Sequence, residues 1–256
     1  MIVDTHVHLD DPRYAEDIEE VLERAEKAGV ERFVIPGADP ETLSRAVELS
    51  ERFENVFFAV GVHPYDAAKY DRDLLERHIG HEKCVAVGEC GLDYYRLPAD
   101  GDAAEREKKI QKDVFSDQIA LASRYDLPLI VHIRDAGYDC LKILKKEAGK
   151  RGGVLHCYNA DHQLLELGGR NFYFGIGGVI TFKNARRLIE VYPMIPEDRL
   201  LIETDGPYLT PHPYRGKRNE PAYCRLIAEK MAELAGCSYE KITGICRENT
   251  RRLFGI

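Results

Sequence analysis

The chain has 256 residues, 44% of them hydrophobic and 31% charged, which suits one large α/β domain or two small ones with a full core. Its net charge of −8 excludes a protein that coats long nucleic acid through a basic stripe, so any phosphate recognition must be local. No apolar run approaches the roughly 18 residues of a membrane span, the start lacks a signal peptide's basic and apolar regions, and the seven cysteines show no C-x-x-C or framework spacing; a cytoplasmic protein with reduced thiols and no membrane contact is expected.

Strand-like and helix-like patterns alternate along the whole chain. Met1–Asp10 reads as a first strand, and Tyr14, Ile18, Val21, Leu22 and Ala25 fall at helical spacing after it, closed by Gly29. Strands are expected at 32–36, 56–62, 84–89, 127–132, 153–156, 172–176 and 200–204. Helices are expected near 41–52, 73–80, 104–125, 138–148, 162–168, 184–192, 221–235 and 239–254, with a long loop over 92–102. The 56–62 run is β-branched and aromatic, as in a strand buried on both faces. Eight strands at a period of roughly 30 residues predict a (β/α)8 TIM barrel, one domain over residues 1–256. An open doubly wound sheet would need a glycine-rich turn after the first strand; Leu9-Asp10-Asp11-Pro12 stands there instead.

The unusual polar residues fall at the C-terminal ends of these strands, which in a barrel converge on one mouth. His6 and His8 share a face by strand alternation. His63 ends the third strand, Glu89 the fourth, His132 the fifth and His156 the sixth, and Asp205 follows the eighth. Four histidines, one Glu and one Asp exceed the needs of one ion with an open position and suit two ions sharing a carboxylate. Glu89 is the natural bridge, with His6, His8 and Asp205 on one ion and His132 and His156 on the other. Two ions roughly 3.5–4 Å apart can hold a hydroxide and steady a leaving oxygen, and Asp205 could accept the proton of the attacking water. Cys90 and Cys157 each follow a proposed ligand, so alternation turns them away as small core residues.

These segments together resemble the TatD family of metal-dependent deoxyribonucleases, within the amidohydrolase-like barrels. The resemblance rests on Asp4-Thr5-His6-Val7-His8-Leu9-Asp10, Gly61-Val62-His63-Pro64, Gly88-Glu89-Cys90-Gly91-Leu92-Asp93-Tyr94, Val131-His132-Ile133-Arg134-Asp135-Ala136, Leu155-His156-Cys157-Tyr158 and Glu203-Thr204-Asp205-Gly206-Pro207-Tyr208-Leu209. The stretch from Pro211 to Pro221 and the terminal Asn249-x-x-Arg252-Leu253-Phe254 match as well. Where the family usually reads aromatic-Ser-Gly after His156-Cys157, this chain reads Tyr158-Asn159-Ala160.

The resemblance implies hydrolysis of phosphodiester bonds at the 3′ ends of single-stranded DNA or RNA, with two divalent ions, Mg2+ or Mn2+ in use and Zn2+ compatible with the histidines. Arg134 and Arg215 are expected to bind phosphate, joined by Arg96, Lys217 and Arg218 as candidates. Tyr94, Tyr158 and Tyr208 are candidates either to stack on bases or to pack. His63 is expected to contact the phosphate or relay a proton, and Asp93 either to orient a ligand or to cap a turn. The alternative is an ester or amide hydrolase on the same metals, such as a D-aminoacyl-tRNA deacylase. Small-molecule amidohydrolases of this superfamily usually bridge with a carboxylated Lys, and Glu89 at that place favours phosphate chemistry. A non-catalytic binding module has no physical reason to keep six ligands together.

Overall fold

The computed structural model describes residues 1–256. Eight parallel strands pair in chain order: β1 Ile2–Asp4, β2 Val30–Ile35, β3 Val56–Val60, β4 Cys84–Asp93, β5 Leu129–Arg134, β6 Gly153–Leu155, β7 Phe172–Ile176 and β8 Leu200–Ile202. The ring closes just beyond the ends of β1 and β8. Thr5 N–H donates to Ile202 O at 3.1 Å, Asp205 N–H donates to His6 O at 2.9 Å, and Val7 bridges Gly206. The chain is therefore a single-domain (β/α)8 barrel.

The outer helices are α1 Ile18–Lys27, α2 Leu43–Arg52, α3 Arg72–His78, α4 Gly101–Arg124, α5 Gly137–Glu147, α6 Arg186–Val191, α7 Cys224–Ala235 and α8 Tyr239–Phe254. Each lays an apolar stripe on the barrel, as α1 does with Ile18, Val21, Leu22 and Ala25. After β6 the expected helix is a 3-10 turn, His162–Arg170, and the last two helices both follow β8.

One residue from each of seven strands, Val34, Ala59, Ala86, Ile130, Val154, Tyr173 and Leu201, joins an inner layer with Leu253 and Phe254 of α8. That layer fills the end where the strands begin, so the opposite end is left for polar residues. There the backbones of β3 and β4 crowd together: a Cβ on Gly61 would lie 2.5 Å from the Gly88 carbonyl. Only glycine admits this approach, and it sets the backbone that carries Glu89.

Two strands outrun their sequence boundaries. β4 continues through Asp93 and β5 through Arg134, paired Cys90 to Val131 and Asp93 to Arg134. Gln111 of α4 explains the extension, since its side chain accepts from Asp93 N–H at 2.9 Å and donates to Asp93 O at 3.1 Å. Glu89 thus projects from mid-strand, and the loop expected from Leu92 begins only after Asp93. β1 is shorter than expected, so His6 and His8 lie past its paired residues.

Candidate metal centre

His6 and His8 converge because the bridge between Val7 and Gly206 keeps the chain extended past β1. Their Nε2 atoms stand 3.3 Å apart. Glu89 Oε2 lies 3.3 Å from His6 Nε2 and 3.8 Å from His8 Nε2. Asp205 Oδ1 lies 3.4 Å from His8 Nε2 and 3.7 Å from His6 Nε2. The other Glu89 oxygen faces a second group: Oε1 is 2.9 Å from His132 Nδ1, 3.8 Å from His156 Nε2 and 3.8 Å from His63 Nε2. The structure so brings together all six residues read from sequence as metal ligands, with the Glu89 carboxylate between two sets of nitrogens.

These spacings fit a divalent ion. Donor atoms about 2.0–2.2 Å from a tetrahedral ion stand roughly 3.3–3.6 Å from one another. His6, His8 and Asp205 form one group of donor atoms within 4.8 Å, and Glu89, His132 and His156 form another.

Behind the donors lies a set of carboxylates that holds the rings. Asp93 Oδ2 is 2.9 Å from His132 Nε2, which turns His132 Nδ1 toward Glu89. Glu203 Oε1 is 3.0 Å from His156 Nδ1 and accepts the Cys157 N–H at 2.6 Å. The contact with His156 is an ionic one without hydrogen-bond alignment, and Glu203 Oε2 and His6 Nδ1 are also buried without partners. His6 and His156 stack at 3.4 Å between centroids, inclined by 13°, so Glu203 lies behind both rings, with which it forms a third close group. A carboxylate behind an imidazole fixes its tautomer and orientation. Sequence reading gave Glu203 no role, although it sits two residues before Asp205 in the quoted motif.

The charges follow from this crowding. Burial works against the ionised form of Glu89, yet His6, His132 and His156 hold it well below the usual carboxylate range. Burial likewise opposes ionised Asp205, but His8, His156 and His6 lower it. For His156, burial pulls downward while Glu203, Asp205 and Glu89 push it up to about 10. His63 is the opposite case: burial outweighs Glu89 and lowers it to about 4. Its Nδ1 accepts the Tyr65 N–H at 3.1 Å, so the neutral ring carries its proton on Nε2, toward Glu89.

A cavity of about 1030 Å³ opens above the donors. Arg134 lines it, its guanidinium stacked 3.6 Å over the Tyr95 ring, and Arg96 lines it 4.9 Å over Tyr65. Arg187, which sequence reading passed over, lines it from α6. Tyr208 also lines it and is about half exposed.

Other candidates are placed differently. Tyr158 reaches the cavity wall but is only 4% exposed, its hydroxyl donating to Asp161 O at 2.8 Å and its ring edge-on to Phe174. Arg215 stands outside the lining, donating to Thr210 O at 2.8 Å and stacked 3.8 Å over Phe182. Arg218 is paired with Asp17 at 2.6 Å, and Tyr94 donates to Asp139 at 2.8 Å. Cys90 is buried as expected, but Cys157 is half-buried and lines the cavity. Strand alternation does not govern Cys157, because β6 ends at Leu155 and Cys157 takes a left-handed φ of 45°.

Known proteins place this arrangement in a family. The family described as "TatD related DNase" matches residues 3–255. A Bacillus subtilis (strain 168) protein described as "Uncharacterized metal-dependent hydrolase YabD" is 46% identical over the whole of both chains. The "3'-5' ssDNA/RNA exonuclease TatD" of Pectobacterium parmentieri is 34% identical, with 98% of each chain covered. The crystal structure of YJJV, a TatD homologue from Escherichia coli, superposes with a TM-score of 0.89 at 31% identity, covering 100% of this chain and 98% of that one. The chain therefore belongs to the TatD family and is a metal-dependent hydrolase.

Proposed function

We propose that the chain is a 3′–5′ exonuclease that hydrolyses phosphodiester bonds of single-stranded DNA, and of RNA where the strand is open. The observation that carries this reading is the pairing of the donor cluster with a wall of arginines. Arg96 and Arg134 are held by tyrosine rings rather than by carboxylates, which leaves their N–H edges free for phosphate. The name of the Pectobacterium relative supports the same reading.

His6, His8 and Asp205 would hold one divalent ion, His132 and His156 a second, and Glu89 both. When bound, such ions activate water and neutralise charge on the phosphate. Asp205, held ionised by its histidines, is the group that accepts the water's proton. His63 presents Nε2–H to the mouth and donates to a phosphate oxygen. Arg134 and Arg96 orient the strand, and Tyr208 offers a face on which a base can stack. Tyr158 shapes the wall rather than meeting a base with an open face.

The test is a single-stranded oligonucleotide labelled at its 5′ end, incubated with protein and Mg2+ or Mn2+. A ladder shortening one nucleotide at a time from the 3′ end is expected. An intact strand in the presence of protein shown to carry metal would overturn the reading.

A further inference from the structure

Two stretches of this acidic chain carry only positive charge. Residues 171–189 and 206–219 contain Lys183, Arg186, Arg187, Arg215, Lys217 and Arg218 and no Asp or Glu, although the net charge of the whole chain is −8. The first stretch supplies β7 and the loop into α6, the second the loop after β8. Because β7 and β8 are paired, the two loops stand side by side on the rim.

The loops are also fastened to each other. His212 N–H donates to Thr181 Oγ1 at 2.8 Å, and the Arg215 guanidinium lies 3.8 Å over the Phe182 ring. The backbones approach so closely that a Cβ on Gly178 would meet Leu209 O at 2.2 Å. Arg215 is engaged in this joint, and Arg218 in its ion pair with Asp17. The other four cations, Lys183, Arg186, Arg187 and Lys217, are exposed and have no carboxylate oxygen within 4.0 Å.

This positive surface is continuous with the mouth. Asn184 and Arg187 of one loop and Tyr208 and Leu209 of the other line the cavity above the donors, while Lys183, Arg186 and Lys217 stand outside the lining. Tyr214 is 38% exposed on the same surface. Its ring rests on Tyr223, with centroids 4.9 Å apart and planes inclined by 10°, which fixes it in place. Free cations around a fixed, exposed aromatic suit a single strand, whose phosphates meet the charges and whose bases stack on the ring.

Resting on the exonuclease reading, we infer that the joined β7 and β8 loops form a track for the strand on the 5′ side of the scissile bond, gripping nucleotides beyond the one being removed. Lys183, Arg186 and Lys217 neutralise backbone phosphates, Tyr214 stacks a base, and Arg187 passes the strand from the track into the mouth. A dinucleotide has a single phosphate, which the donors occupy, so it gains nothing from the track. The chain is thereby a trimmer of long strands.

The probe is a labelled oligothymidylate of about ten nucleotides, within the range that a single-strand site covers. Phosphorothioate linkages at its 3′ end slow cleavage, and anisotropy reads its binding to the metal-loaded protein. In Lys183→Ala/Arg186→Ala, Kd is expected to rise about tenfold at about 0.15 M salt, and the log–log salt slope to fall by about 1.4; with Lys217→Ala added the fall reaches about 2.1. KM of the double variant for the thymidine dinucleotide stays within about twofold of wild type, and an unchanged far-UV circular dichroism spectrum shows that the variants are folded. Unchanged Kd and slope overturn the inference, as does an equal rise in KM for the long strand and the dinucleotide. Polyglutamate of the same length, charged but without bases, is expected to bind at least about fivefold more weakly than the oligothymidylate; equal binding overturns the track in favour of a surface for acidic proteins. A strand bound with these dependences but never cut removes the exonuclease reading and leaves the track standing. Cutting with binding indifferent to the three cations does the reverse.

Discussion

Glu203 Oε1 lies 3.0 Å behind His156 Nδ1, on the side of the ring away from Glu89. The space for this carboxylate is made by a glycine on the neighbouring strand: a Cβ on Gly175 would meet Glu203 Oε2 at 2.1 Å. Gly175→Ala therefore leaves every proposed ligand in place but displaces the carboxylate that supports His156 and His6. Such outer supports are worth roughly 10–100-fold in metal affinity, and overpacking a core site costs about 1–3 kcal/mol. Glu203→Gln should lose less affinity than Gly175→Ala, because it keeps an acceptor for the Cys157 N–H. Metal titration by calorimetry checks the order. Equal affinity in wild type and both variants would show that Glu203 supports only the backbone.

Glu89 offers its two oxygens to separate sets of nitrogens, and this yields a prediction about stoichiometry. The wild type should take up two ions per chain and Glu89→Ala at most one, measured as bound metal after desalting. Saturation at about a hundredfold over Kd should stabilise the wild type by about 2.7 kcal/mol for each independent site, so the rise in Tm shrinks in the variant. A wild type that saturates at one ion would remove the shared-carboxylate arrangement.

Metal uptake should also release protons. In the metal-free protein, burial acts against charge on His8, His132 and His156, yet neighbouring carboxylates raise all three, His156 to about 10. A ligand nitrogen must be deprotonated to bind. Affinity should therefore climb with pH between 6.5, the ordinary histidine value, and about 10, and titrations in buffers of different ionisation enthalpy should show net proton release. Uptake independent of pH across that window would mean that these nitrogens are already free.

The donor set was legible in the sequence because barrel geometry sends every strand end to one rim, whatever the precise strand length. His6 and His8 illustrate this. They meet although β1 ends at Asp4, because the continuation of β8 pairs with the chain beyond it. What could not be read was the use made of each arginine. Arg134 and Arg215 look alike in sequence, yet one lines the cavity and the other is engaged by Thr210 O and Phe182. Glu203 was equally hidden, since its partner His156 is far off in the chain and the room it occupies depends on a glycine of β7.

This contrast between arginines is itself testable. Arg134→Ala should raise KM for an oligonucleotide by about 3–10-fold, in the range of a charge-assisted contact, and lower the salt dependence of binding by about 0.7 in the log–log slope. Arg215→Ala should leave that slope unchanged and act through the Thr210 loop, as a small loss of stability. Binding isotherms at several salt concentrations separate the two. A slope change in Arg215→Ala equal to that in Arg134→Ala would return Arg215 to the phosphate path.

Asp4 gives the clearest dependence of stability on pH. It is fully buried, its Oδ2 accepting the Thr204 hydroxyl at 2.5 Å and its Oδ1 the N–H groups of Thr204 at 2.9 Å and His6 at 3.3 Å. Burial pushes its carboxyl up to about 7 in spite of those bonds. The folded value thus lies above the ordinary 3.8, so folding favours the protonated form. Its contribution is whole below pH 3.8, declines as pH rises, and is gone above about 7. Asp4→Asn has no proton to lose. Measured by urea midpoints, the stability of the variant relative to wild type should improve steadily from pH 4 to 7 and level off above. A constant difference across that interval would mean that Asp4 is ionised throughout, with Thr204 and the two amides outweighing burial, and Asp4 would then be a fixed negative charge beneath His6.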